Sequence, residues 1–453
     1  MVDISSTDSQ SDQSKEPRDL RERLSIYSLS VGWAAGRSSI FVYLSYFGVV
    51  LGASPLEQSI LTSVRNLGAN MFQSVWGWLA DLKGRRLVLV IGFTTLALST
   101  LLLPFVNNPF ELVLVSLVLT SIGFAVIPAW NAFLGDYSSE KTRASFVGKI
   151  NSLGTITSVV LILSVGVLMD LTPFPFPREA IQYASSRPAF VIPFLIGGLL
   201  FVVSLGTSFV LVEKYDKRLS KVPFPEEVRL SMNELIQRNP PFRRLLPIDA
   251  IFRFAMSTAW PIFPFVTLRV ATSWLTVAIL WVVFNLPRGI GQAWGGQLAD
   301  QLGKKPVIIA SRIAYTIVPI GYALGLLTGD VLFLLLVNIP GGMAFGAEDT
   351  AIATYSLDCS TTETKARYYS ILLTFEGIAA FSGAIFSGLV MDIWLRLVGI
   401  DYSSTNFNII LISMLMFISI LRFLTAILHG LIHANPLDFE LEQAVHRRRK
   451  YEP

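Results

Sequence analysis

The chain has 453 residues, 36 Lys and Arg against 32 Asp and Glu, 52% hydrophobic residues and only 15% charged ones, with a mean hydropathy of +0.57. Soluble domains average about 25% charged residues, so this composition excludes an ordinary soluble protein and points to a bilayer. One cysteine, Cys359, and three histidines exclude a disulfide framework and argue against a metal centre.

Residues 1–24 are polar and rich in Ser and Asp, without the short apolar core of a cleavable signal, and read as a cytoplasmic tail. A spanning helix needs about 20 apolar residues. Six such stretches follow at 26–51, 56–80, 87–106, 110–135, 145–169 and 189–212. Residues 214–245 form a linker with Pro223, Pro225, Pro240 and Pro241, whose middle, 226–238, reads as a short amphipathic surface helix. Six further stretches lie at 247–268, 274–299, 306–327, 331–356, 368–391 and 405–432. Lipid offers the backbone no hydrogen bonds, so all twelve are expected to be helices. The expected division is therefore a bundle over 25–213, the linker, a second bundle over 246–432 and a basic tail over 433–453. The run Arg447, Arg448, Arg449 and Lys450 in that tail suits either anionic lipid or solvent.

Basic residues are retained on the cytoplasmic side. With both termini inside, 25 of the 36 Lys and Arg fall in cytoplasmic segments, and only Arg178, Arg187, Arg269 and Arg396 fall outside. That bias accounts for the net charge of +4 and leaves no case for nucleic-acid binding. His429, His433 and His446 are expected to be interfacial or solvated, and the outer segment 170–188 to form a lid.

The sequence GWLADLKGRR returns as GQLADQLGKK at a constant offset of 219. It pairs Gly77 with Gly296, Asp81 with Asp300, Gly84 with Gly303, Arg85 with Lys304 and Arg86 with Lys305. Upstream, Gln73 and Asn66 match Gln292 and Asn285. A second, weaker signature, Asp136, Lys141, Arg143 and Gly148, has its counterpart in Asp358, Glu363, Lys365 and Arg367, at offsets of 222 to 224. Internal repetition at half the chain length is a common plan of transporters. Gly84 and Gly303 suit a tight turn, and Gly77 and Gly296 are expected to let neighbouring helices approach.

With both signatures present in both halves, the chain resembles the major facilitator superfamily over nearly its whole length. The resemblance implies an all-α membrane protein of twelve helices in two pseudo-symmetric six-helix bundles, moving a small-molecule substrate through the bilayer by alternating access. It also implies that Asp81 and Asp300 meet the starts of the eleventh and fifth helices when the cytoplasmic side is shut. The loops carrying Asp136, Arg143, Asp358 and Arg367 belong to the same gate. In this family the first, fourth, seventh and tenth helices line the cavity, which singles out Arg37, Asn131, Arg253, Glu348 and Asp349.

Intramembrane charges are costly and usually functional. Arg37, Arg65, Asn131, Arg253, Asn285 and Arg288 are the candidate substrate contacts, and Glu348, Asp349 and Glu376 the candidate proton carriers. Glu348 and Asp349 could also pair with Arg253 or Lys149 as an inner gate. Arg312 and Arg422 are expected to snorkel from lipid-facing helices. The first six spans hold no deep carboxylate, so Arg37, Arg65 and Lys149 leave them positive and favour an anionic metabolite bearing carboxylate or phosphate. Arginines in the first and seventh spans also resemble the arrangement in organic-phosphate members of the family.

Proton-coupled multidrug efflux is the alternative, although Ser116 and Leu117 stand where drug antiporters carry an arginine in the fourth span. A non-transporting sensor is the alternative of another class, but the tails and linker are too short for a signalling domain. No GxxxxGK[ST], HExxH or GxSxG occurs, so neither a nucleotide-driven pump nor an enzyme is expected. No cofactor is expected, and the chain is expected to act as a monomer in the cell membrane.

Overall fold

The computed structural model describes residues 20–137, 143–211, 239–359, 365–401 and 404–434. The terminal tails, most of the linker with its amphipathic stretch, and Lys141 lie outside the described residues. Every regular element among the described residues is helical. The longer helices are α1 (Leu20–Val50), α2 (Pro55–Met71), α3 (Gln73–Lys83), α4 (Arg85–Leu102), α5 (Pro109–Ser121), α6 (Val126–Asp136), α7 (Arg143–Asp170) and α8 (Val191–Ser208). After the linker come α9 (Pro240–Ser257), α10 (Phe263–Val270), α11 (Trp274–Leu302), α12 (Lys304–Ala314), α13 (Ile317–Thr328), α14 (Leu332–Asp358), α15 (Lys365–Val398) and α16 (Phe407–Leu428).

Nine segments among the described residues are long and apolar enough to cross a membrane, where twelve were expected. The three that miss are the first, second and seventh expected spans. α1 is one helix of 31 residues, but Ser25, Ser28, Ser30, Arg37, Ser38 and Ser39 dilute its apolarity. The second breaks at Phe72 between α2 and α3. The seventh breaks into turns between Ser257 and Phe263, where Pro261 and Pro264 cannot donate to a helical ladder. The fourth and ninth expected spans also break, at Gly123–Ala125 and at Tyr315, without losing their apolar length.

The chain forms two compact units, one of Met1–Leu51, Gly68–Pro175 and Ala184–Phe224, the other of Gly52–Leu67, Phe176–Tyr183 and Pro225–Pro453. In the first, α8 packs on α1 and α4, and α1 packs on α7. Close approach is made through small residues: a Cβ at Gly36 would stand 2.8 Å from the Phe201 ring and 3.3 Å from the Gly197 carbonyl. In the second, α11 packs on α14, α9 on α15 and α12 on α14. There Gly291, Gly342 and Gly346 bring backbone onto backbone, since a Cβ at Gly346 would collide with the Arg288 carbonyl and one at Gly342 with the Phe284 carbonyl. Also in this unit, the Ser63 hydroxyl donates to the Phe381 carbonyl at 2.9 Å, seating α2 on α15. Phe176, from the outer segment read as a lid, sets its ring edge-on to Trp274 with centroids 4.8 Å apart.

Candidate functional site

The second unit holds a connected set of charges drawn from five helices. Asp249 and Arg253 are four residues apart on α9 and so share a face. Arg253 Nη2 lies 3.2 Å from Glu348 Oε1 and 3.8 Å from Asp349 Oδ1, both on α14, and its Nε lies 3.2 Å from Glu376 Oε1 on α15. Arg288, on α11, donates to Asp349 Oδ2 at 2.5 Å, with its guanidinium 4.5 Å from the Phe345 ring centroid. Arg312, on α12, donates to Glu348 Oε1 at 2.5 Å, pairs with Asp249, hydrogen-bonds the His429 ring and stacks 4.1 Å from the Phe252 centroid.

This placement corrects three expectations. Arg312, Arg422 and His429, expected at lipid-facing or interfacial positions, are 1%, 0% and 0% exposed. Arg312 gains two carboxylates and an aromatic face by turning inward, more than snorkelling offers. Arg422 donates to the Met256 carbonyl at 2.5 Å and lies 4.9 Å from the Tyr315 ring centroid. His429 packs edge-on to Phe252 and accepts from Arg312. Asp249 was missed altogether, although its i, i+4 spacing from Arg253 was a readable signal.

Burial separates the remaining candidates. Arg253 is 7% and Glu348 2% exposed, so Arg253 is an ion-paired interior residue. The Arg288 and Asp349 side chains are 35% and 24% exposed. Asn285 turns its amide back on its own helix, donating to the Trp281 carbonyl at 2.9 Å. Arg65 is half-buried on α2.

In the first unit, Arg37, Asn131 and Lys149 are exposed. The Arg37 guanidinium sits 5.5 Å from the Trp33 ring centroid. Trp33 in turn rests against Phe93, Phe124 and Phe201, with centroids 5.9 to 6.3 Å apart, so the cation stands on an aromatic platform.

The repeated loops take the shape expected of them. Gly84 (φ 111°) and Gly303 (φ 91°) each make the whole connection between two helices, in backbone conformations that side chains rarely adopt. Their cations are staples within each half. Arg85 donates to the Ala132 carbonyl at 2.8 Å, and Lys304 pairs with Asp358. Arg86 reaches the Phe209 carbonyl, and Lys305 reaches the Gly430 and Ile432 carbonyls at 2.7 and 2.9 Å. Each half thus uses its second cation to cap the end of its last long helix, where unpaired carbonyls carry partial negative charge. Gly77 and Gly296 do not serve close approach: a Cβ there would meet its nearest neighbour at 3.7 and 3.5 Å, ordinary contact distances. Asp300 is exposed, with the Lys304 charge close enough to attract it. The side chains of Asp81, Asp136, Arg143 and Arg367 lie outside the described residues.

Residues 27–383 match the sequence pattern of the Major Facilitator Superfamily. Among curated proteins, "Multidrug resistance protein MdtG" of Salmonella paratyphi A is 22% identical over 360 residues, covering 77% of this chain and 82% of that protein. Its Escherichia coli counterpart is 23% identical, covering 77% and 81%. Among solved structures, the nucleoside transporter NupG superposes with a TM-score of 0.69 at 15% identity, over 89% of this chain and 98% of that one. A bacterial homolog of the human lysosomal transporter Spinster, inward-facing and occupied, gives 0.66 at 16% identity, over 90% and 95%. The chain belongs to the Major Facilitator Superfamily: it is a multi-pass membrane transporter and not an enzyme.

Proposed function

We propose that the protein is a proton-driven secondary transporter of a small anionic organic solute, bearing carboxylate or phosphate, that works by alternating access. In this reading twelve spans form bundles over 25–213 and 246–432, both termini are cytoplasmic, the repeated loops form the inner gate and the monomer is the working unit. The observation that carries the solute class is the exposure of the Arg37 guanidinium on its aromatic platform. Arg253 and Arg312 are buried against carboxylates, whereas Arg37 is exposed on the Trp33 platform, where an anion can reach it. A planar guanidinium offers carboxylate or phosphate two parallel hydrogen bonds.

Export of lipophilic drugs is the second reading, favoured by the printed name of the curated relatives and by the aromatic cluster of Trp33, Phe93, Phe124 and Phe201. Uptake by purified protein in liposomes, with and without an imposed pH gradient, separates the two. The panel comprises carboxylates, sugar phosphates and lipophilic cations. Concentration of an anion under the gradient is expected; concentration of lipophilic cations alone would sink the anion reading.

A further inference from the structure

The ion-paired set of the second unit does not balance. Among the described residues it joins three arginines, Arg253, Arg288 and Arg312, to four carboxylates, Asp249, Glu348, Asp349 and Glu376. Arg422, buried beside the set, donates to the Met256 carbonyl and lies on the Tyr315 ring, and is ion-paired with none of these carboxylates. An uncompensated charge inside a protein is expensive, and a carboxylate removes it by taking up a proton.

The geometry says which carboxylate that is. Glu348 lies between two arginines, 3.2 Å from Arg253 and 2.5 Å from Arg312. Asp249 is held by Arg312, and Asp349 by Arg288 at 2.5 Å. Glu376 has one arginine, Arg253 Nε at 3.2 Å, in an alignment that leaves both Nε and Oε1 without a hydrogen bond, and its carboxyl lies beside that of Asp249. Besides Arg253 on α9, the groups around it are the Asp249 carboxylate from α9, the Glu348 and Asp349 carboxylates from α14 and the Tyr369 hydroxyl from its own helix, none of them a cation. α16, which also packs on α15, carries Arg422, held on the Met256 carbonyl. α2, which also packs on α15, carries Glu57 and Arg65.

We propose that Glu376 is the residue that takes the transported proton, with Arg253 as its exchangeable counter-ion. This deepens the proton-driven reading given above and rests on it. When Glu376 binds a proton its carboxylate becomes neutral and the ion pair to Arg253 Nε is lost. Arg253 stays on Glu348 and turns toward Asp349 Oδ1, now 3.8 Å away. Asp349 is then shared by two arginines. Arg288, whose side chain is 35% exposed and whose Nε has no partner, is left able to accept an anion. One proton and one negative charge enter together, so the loaded interior gains no net charge. α9 and α15, packed along their length, lose a tie between them in the same step.

Infrared spectroscopy of the full-length protein in liposomes, titrated from alkaline to acid, reads protonation without needing the solute. The carbonyl band of one protonated carboxyl is expected to appear on acidification, to vanish in Glu376→Gln and to persist in Glu348→Gln. Persistence of the band in a folded Glu376→Gln variant overturns the assignment. Should that variant fail to fold, Glu376→Asp decides: a displaced band supports the assignment, and a band at the wild-type position overturns it. An empty solute panel would sink the anion reading alone, because the infrared result does not depend on it.

Discussion

The two units solve the same packing problem with different materials. The first closes its interior with rings and small residues: Trp33 against Phe93, Phe124 and Phe201, and Gly36 against Gly197. The second ties five helices together with four carboxylates and three arginines, and seats a fourth arginine and a histidine beside them. Apolar packing of the first kind is non-directional and tolerates small shifts. A buried ion-pair set has few arrangements and changes when a proton is added. Under the proposal above, the contrast gives the halves different work: a platform that presents the Arg37 cation, and a switchable charge network.

Removing the network's anchor should give the largest effect. Arg312→Met leaves Asp249 and Glu348 facing each other without their shared cation, a loss of about 3–5 kcal/mol. Thermal unfolding of the purified variant checks it, and Arg312→Met combined with Asp249→Asn should recover part of the loss. A variant as stable as wild type would mean the second unit is held by packing, like the first. Arg37→Gln tests the other side of the comparison. Loss of a charged hydrogen-bonding group costs about 1.5–3 kcal/mol, or tenfold to a hundredfold in solute affinity, with unchanged thermal stability. Loss of stability without change in affinity would return Arg37 to a structural role.

Smaller effects follow where both units use comparable devices. Gly346→Ala forces α14 away from the Arg288 carbonyl and should cost about 1–3 kcal/mol in thermal stability. The same measurement on Lys305→Gln, which uncaps the Gly430 and Ile432 carbonyls, should show about 0.3–1 kcal/mol. Arg86→Gln should match it, because Arg86 reaches the Phe209 carbonyl in the corresponding position. Unequal losses would show that the repeat no longer does the same work in both halves.

The repeat, its glycine turns and the presence of charge inside the spans were legible in the sequence, because each depends on local order along the chain. Gly84 and Gly303 had to be turns once two apolar runs flanked them. Which way a deep charge faces was not legible. Arg312 falls on a polar stripe of α12 with Lys304, Lys305 and Ser311, but the stripe does not name its partners: only the positions of Asp249 and Glu348 for Arg312, and of Tyr315 for Arg422, show where the two arginines turn. Asp249 drew no reading because it stands near the start of the apolar run at 247, whereas α9 begins seven residues earlier, at Pro240, and so places Asp249 well inside the helix. Gly77 and Gly296 were credited with close approach that Gly291, Gly342 and Gly346 supply, since spacing alone does not say which glycine meets a neighbour.

The most direct test of this division of labour is gradient-driven uptake in liposomes of whichever carboxylate or sugar phosphate the panel identifies, comparing wild type with Glu376→Gln. The wild-type protein should concentrate the anion only while the pH gradient lasts, and the variant should lose concentration yet still exchange internal for external anion. Concentration by Glu376→Gln equal to wild type, or wild-type uptake indifferent to the gradient, would contradict it.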